Sequence, residues 1–254
     1  MLILKKIQKT FPGKFEPTLK GINLEFSPGE FCVVIGSNGS GKSTLMRSIS
    51  GEDAIDSGSI AINGKELRHR DRSQVIASVT QDVSLGTIPE MTLLENMVLS
   101  HMRARNATFN FYRQKEAEIL SLIQELGMGL ECYINEPLTS LSGGQRQMIA
   151  TIMAISSNPS ILLLDEHTSA LDPKGQQLLM EYTAANVITN KITTLMITHK
   201  LDDAASYGDR LIMIDQGRIV LDVKGEEKEA LTVEELLALF HKYEDQTLRA
   251  EGGV

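Results

Sequence analysis

Between a run of five apolar residues, Phe31 to Ile35, and the helix-forming stretch that opens at Lys42 lies a loop that few folds can hold. It reads Gly36-Ser37-Asn38-Gly39-Ser40-Gly41-Lys42-Ser43. The spacing is G-x-x-x-x-G-K-[ST], and it stands where that pattern carries meaning, after a buried strand and before a helix. The glycines let the backbone close around an anion, and successive N–H groups point inward as a nest. The helix N-terminus, with Thr44 behind Ser43, adds a favourable dipole. Lys42 reaches the β- and γ-phosphates as a point charge, and the Ser43 hydroxyl suits Mg²⁺. The loop therefore implies a nucleoside triphosphate, held by residues from Gly36 to Thr44.

The rest of the chain supplies the sheet that such a loop needs. Ile22-Asn23-Leu24-Glu25-Phe26 alternates as a half-buried strand does, and Ser27-Pro28-Gly29-Glu30 is a turn. Further short apolar runs follow at Ile161 to Leu164, Ile192 to Thr198 and Leu211 to Asp215. A helix opens between the first two at Asp172-Pro173. From about Thr92 to Ile155 the periodicity is helical, with Ile119, Leu122, Ile123 and Leu126 on one face and Met148 and Met153 as core packing. Strands alternating with helices imply a mostly parallel α/β sheet covered on both faces. An antiparallel β-subdomain precedes it, and an α-helical subdomain of approximately residues 84–158 is inserted. An amphipathic helix over approximately 232–245 places Val233, Leu236, Leu237 and Phe240 together. The whole chain reads as one domain, 1–254.

The strand at Ile161 releases Asp165 and Glu166 at its C-terminal end, the edge where ligands bind in open α/β sheets. Asp165 suits Mg²⁺, and Glu166 suits polarising an attacking water. Net charge is −8 over 254 residues, which argues against a general nucleic-acid binder. No apolar run approaches the length of a membrane span, and no secretory signal is visible. The two cysteines, Cys32 and Cys132, fit a reducing compartment.

A second anion-ready helix start is Leu141-Ser142-Gly143-Gly144-Gln145-Arg146-Gln147, with serine and two glycines at the positive end of a dipole. Serine also serves simply as a helix cap. This run resembles the signature of the ATP-binding cassette (ABC) family, and the other family elements stand in order. Gln81 resembles the glutamine of the Q-loop, Ser169-Ala170-Leu171-Asp172 the D-loop, and His199 the switch histidine. The resemblance runs from the N-terminal strands to about Val223 and implies a P-loop NTPase core.

It also implies a mechanism in which two cassettes bind head to tail and sandwich two ATP molecules. Each ATP lies between the phosphate loop of one copy and Ser142, Gly143 and Gly144 of the other. His199 contacts the γ-phosphate, Gln81 senses Mg²⁺, and Asp172 couples the sites. An aromatic residue stacks on adenine, with Phe11 the best match and Phe15 the second. Two positions depart from the family pattern, His167 after Glu166 and Val83 after the Q-loop, where proline is common; His167 is read as a surface turn residue.

A chain of this kind needs a separate transmembrane permease and a second nucleotide-binding subunit. It sits at the cytoplasmic face of the cell membrane, peripheral through the permease. The segment from about Asp82 to Asn96 would meet the permease, with Leu85, Ile88 and Met91 as docking contacts or loop anchors. Overall similarity is greatest to bacterial solute importers, in a branch linked to aromatic amino acids or related small organic solutes. That branch implies an extracytoplasmic solute-binding protein as well. The alternative is a soluble ABC-type ATPase acting on DNA or ribosomes. Thr44 and Leu141 lie too close in sequence for the long coiled coils of the DNA-repair branch, and the chain carries a single set of motifs, where the ribosomal branch has two.

Overall fold

The computed structural model describes residues 1–82, 86–102 and 109–251; Val83 and Leu85, singled out above, lie outside them. In chain order the elements begin with β1 (Leu2–Lys9), β2 (Leu19–Phe26), β3 (Phe31–Ile35), α1 (Lys42–Ser50), β4 (Ser57–Ile62) and β5 (Lys65–Glu66). Next come β6 (Ile76–Val79), α2 (Leu93–His101), α3 (Phe109–Glu125), α4 (Gly143–Ser156), β7 (Ile161–Asp165) and α5 (Pro173–Asn190). The chain continues with β8 (Thr193–Ile197), α6 (Leu201–Ser206), β9 (Arg210–Asp215), β10 (Arg218–Lys224), α7 (Glu226–Glu229) and α8 (Val233–Glu251). These elements form two compact units, Met1–Ser73 with Thr193–Val254, and Gln74–Ile192.

The first unit holds an antiparallel sheet in the order β2-β1-β4-β5. Leu2 pairs with Phe26 and Ile62, and Leu4 with Leu24 and Ile60, so one face of β1 is covered from both sides. Strict alternation would turn Ile7 outward; a bulge at Lys6, which has φ 51°, returns it to the core, where it is fully buried. Four further strands run β10-β9-β3-β8, with β8, β3 and β9 parallel and β10 returning antiparallel beside β9. The two-residue turn Gln216-Gly217 has both φ values positive, as right-twisted hairpins require.

β3 is flanked by β8 and β9, which is why Phe31-Cys32-Val33-Val34-Ile35 is apolar at every position. Arg210 at the start of β9 ties this region together. Its fork donates to both carboxylate oxygens of Asp222 at 2.6 Å, and one nitrogen reaches Glu30 Oε1 at 2.9 Å and the Glu25 carbonyl at 2.7 Å. On α8, Leu236 is fully buried while Val233 and Leu237 are exposed.

In the second unit β6 and β7 run parallel, Ile76 opposite Ile161 and Val79 opposite Leu164. Between them in sequence stand α2, α3 and α4, whose apolar faces make a core of Leu93, Met97, Ile119, Ile123, Ile149 and Ile152, all fully buried. Met148 and Met153 belong to it, and Leu122 and Leu126 pack at its edge. The fold is α/β with mostly parallel strands, an N-terminal antiparallel sheet and an inserted helical region. Among the described residues, no helix is long and apolar enough to cross a membrane.

Candidate functional site

In the first unit the phosphate loop leaves the C-terminal end of β3. Gly36 has φ 150°, and a Cβ there would lie 2.1 Å from the Ile214 carbonyl oxygen, so no other residue fits this close pass of two backbones. Lys42, only 6% exposed, turns its ammonium back into the loop and donates to the carbonyls of Gly36 at 2.8 Å and Ser37 at 2.9 Å. The Ser40 hydroxyl oxygen is buried with no hydrogen-bond partner. A buried hydroxyl left unmatched beside a lysine and a helix N-terminus is what an anion would satisfy. No acidic residue occupies the first turn of α1, and Ser43 is exposed there. Chemistry and shape both fit a triphosphate with Mg²⁺.

Beside the loop is a cavity of about 640 Å³ whose lining includes Phe15, Thr18, Lys20, Gly39 and Gln216. Phe15 is fully exposed. Phe11 is half-buried, with the Lys9 ammonium 5.4 Å from its ring centre. Because Ile197 of β8 pairs with Val34 of β3, the chain beyond β8 emerges at the same sheet edge as the loop, and His199 is exposed there.

In the second unit, Asp165 and Glu166 leave β7 half-buried. The pairing of Val79 with Leu164 brings Gln81, exposed just past β6, to that same edge. Glu166 has φ 51°, a left-handed backbone that turns the chain sharply as the strand ends. His167 is not on the surface as the sequence suggests: it is 1% exposed, and its Nε2 is buried without a partner. Burial lowers its pKa to about 4, so the ring is neutral at ordinary pH. The left-handed turn at Glu166 directs the next side chain inward, which a pattern reading of loop residues does not reveal.

The signature forms the start of α4. Ser142 is its N-cap: Oγ accepts from the Gln145 N–H at 3.2 Å, and Gln145 Oε1 accepts from the Ser142 N–H at 2.9 Å. The capping role and an exposed position coexist, because Ser142 and Gly143 face solvent. Asp172 caps α5 by accepting from the Gly175 N–H at 3.0 Å, with Pro173 at the first helical position.

Three residues that hold these segments escaped the sequence reading. Gln147 and Gln176 bond the backbone around Glu166 and Asp172. Asn96, 1% exposed, pins the loop ahead of α2 by accepting from the Ile88 N–H and donating to the carbonyls of Ile88, Met91 and Thr92. For Gln147 and Asn96 the signal was a polar residue on the buried face of a largely apolar helix; Gln176, half-buried on a mixed helix, carried none. Met91 is thus a loop anchor through its backbone, whereas Ile88 is 44% exposed. Ile88 and Asn96 line a groove of about 360 Å³ with Ala77, Leu99, Ala150 and Met153.

Residues 19–169 match the family described as ABC transporter. The chain is 42% identical over 247 residues to a tyrosine transport ATP-binding protein of Clostridioides difficile (strain R20291), covering 94% of this chain and 98% of that protein. It is 34% identical over 214 residues to a phosphonates import ATP-binding protein of Nostoc sp. (strain PCC 7120), covering 81% and 85%. An ATP-binding cassette solved as a dimer in a post-hydrolysis state with ADP and Pi aligns with a TM-score of 0.77 at 30% identity, over 88% of this chain and 98% of that one. With its phosphate loop, strand-end carboxylates and signature helix, the chain belongs to the ABC transporter family, as an ATP-binding subunit that uses Mg²⁺ and hydrolyses ATP.

Proposed function

We propose that this chain is the motor subunit of an importer for a small organic solute, an amino acid or aromatic compound, working with a separate permease and an extracytoplasmic solute-binding protein. It would act as a single domain, 1–254, peripheral at the cytoplasmic face of the membrane. The observation that carries this reading is the 42% identity, over almost the full length of both chains, to a protein named for tyrosine transport. The groove beside Ile88, Leu99 and Met153 supports the permease contact, since its lining offers apolar side chains to a docking segment.

In this reading the N–H groups from Gly36 to Thr44 and the Lys42 ammonium hold the triphosphate. Mg²⁺, when bound, neutralises developing charge on the phosphates, and Ser43, Asp165 and Gln81 are the residues that would hold it. Glu166 polarises the attacking water as general base, and His199 contacts the γ-phosphate. Phe11 or Phe15 stacks on adenine. Ser142, Gly143 and Gly144 engage the ATP of a second copy, and Asp172 links the two sites.

Reconstituting the chain with its permease and binding protein in vesicles tests the solute. ATP-driven uptake of labelled tyrosine, phenylalanine or tryptophan is expected. Robust ATPase activity in that complex with no uptake of any amino acid or small aromatic compound would overturn the proposed cargo.

A further inference from the structure

The turn from Glu166 to Asp172 is held by two glutamine amides, one from each neighbouring helix. Gln147 lies on α4 little more than one helical turn beyond the Ser142 cap and is 1% exposed. Its Nε2 donates to the Glu166 carbonyl at 3.2 Å, and its Oε1 accepts from the Ala170 N–H at 3.0 Å. The Glu166 carbonyl also takes the Ser169 N–H at 3.0 Å. From α5, Gln176 Nε2 donates to the carbonyls of Thr168 at 3.1 Å and Leu171 at 2.9 Å. Packing removes the remaining play, because a Cβ on Gly144 would stand 2.8 Å from the Ala170 carbonyl oxygen. His167 and Thr168 fill the interior of the turn, at 1% and 7% exposed.

The signature end of α4 and the peptide that presents Glu166 are therefore one mechanical piece. Displacing α4 must carry the Glu166 peptide with it or break both Gln147 hydrogen bonds, leaving the Ala170 N–H without its acceptor. We propose that Gln147 is a positioning residue that couples Ser142 to Glu166, so that ATP engaging the signature sets the catalytic turn of the same subunit. This rests on the reading in which Ser142 serves the ATP of a second copy and Glu166 its own. Gln147 then joins the two hydrolysis sites through the body of each subunit.

Steady-state hydrolysis of Mg²⁺-ATP by the full-length protein tests the coupling. Gln147→Met keeps the shape and removes both hydrogen bonds. It is expected to lower kcat at least 10-fold and bring the Hill coefficient for ATP from above one to one, with the equilibrium Kd for ATP unchanged within twofold. Gln147→Glu keeps the acceptor toward Ala170 and loses the donor toward Glu166; it should show the same two losses and decides the question if the methionine variant fails to fold. Unchanged kcat, an unchanged Hill coefficient, or a wild-type Hill coefficient of one overturns the proposal. Glu166→Gln run in parallel separates the premises: if it retains turnover, the assignment of Glu166 as base has failed, whatever Gln147 does.

Discussion

Glu166 adopts a left-handed backbone without being glycine, a conformation that costs on the order of 1–2 kcal/mol. Such strain persists where the surroundings over-determine it, and here Gln147 and the turn hydrogen bonds do so. Replacing the carboxylate with an amide leaves that backbone intact. Glu166→Gln should thus retain ATP while turnover falls roughly 10²–10⁴-fold, the usual share of a general base; near-normal phosphate release would refute the role. Its neighbour His167 makes a separate prediction. Between pH 7.5 and 5.5 the imidazole protonates in the unfolded chain, where its pKa is near 6.5, but stays neutral in the native protein, where burial holds it at about 4. The unfolded state gains protons, so native stability falls by about 1 kcal/mol over that interval on account of this one residue. His167→Leu should lose that share of the pH dependence in denaturant titrations. Parallel pH slopes for the variant and the parent would show that the ring is not buried.

Among elements, α2 shows how a loop of uncertain appearance in sequence becomes ordered. Asn96 exposes almost no surface and satisfies both ends of its amide on the backbone before α2, while Thr92 and Glu95 form a reciprocal cap. Asn96→Ala would remove four hydrogen bonds and leave the Ile88 N–H without its acceptor, so a loss of about 1–3 kcal/mol is expected by chemical denaturation. ATPase activity of the isolated subunit should change little, and binding to the permease should weaken more than hydrolysis does. A variant as stable as the parent would show that the loop is not held from α2.

The elements also divide sharply in how legible they were. The phosphate loop, the Asp165-Glu166 strand end and the capped starts of α4 and α5 are written in contiguous residues with fixed spacing. Local physics sufficed for them. Gln147 acts on residues 19 and 23 positions away, and Arg210 joins Asp222 of the neighbouring strand to Glu30, 180 positions away. Nothing in the neighbouring sequence specifies such partners. His167 failed for a related reason: loop composition says "surface", but the handedness of a single preceding residue turned it inward.

For the molecule as a whole, the ATP-sandwich reading requires association that tracks the nucleotide. Glu166→Gln with Mg²⁺-ATP should move from monomer to dimer in light scattering, and Ser142→Arg should abolish the shift by placing a bulky cation at the exposed helix start. Association of the double variant equal to that of Glu166→Gln would exclude the signature from the interface. Net charge was a poor guide at this scale. In the proposed reading, a chain at −8 binds a polyanion because backbone N–H groups, one lysine and a metal supply the local field.

That lysine has a further consequence. With its ammonium resting on the Gly36 and Ser37 carbonyls, the phosphate loop carries an internal placeholder. In the proposed reading, arrival of a nucleotide exchanges these hydrogen bonds for others rather than ordering a slack segment. Capture should accordingly be limited by encounter, and release of spent nucleotide leaves the cradle already shaped for the next turnover.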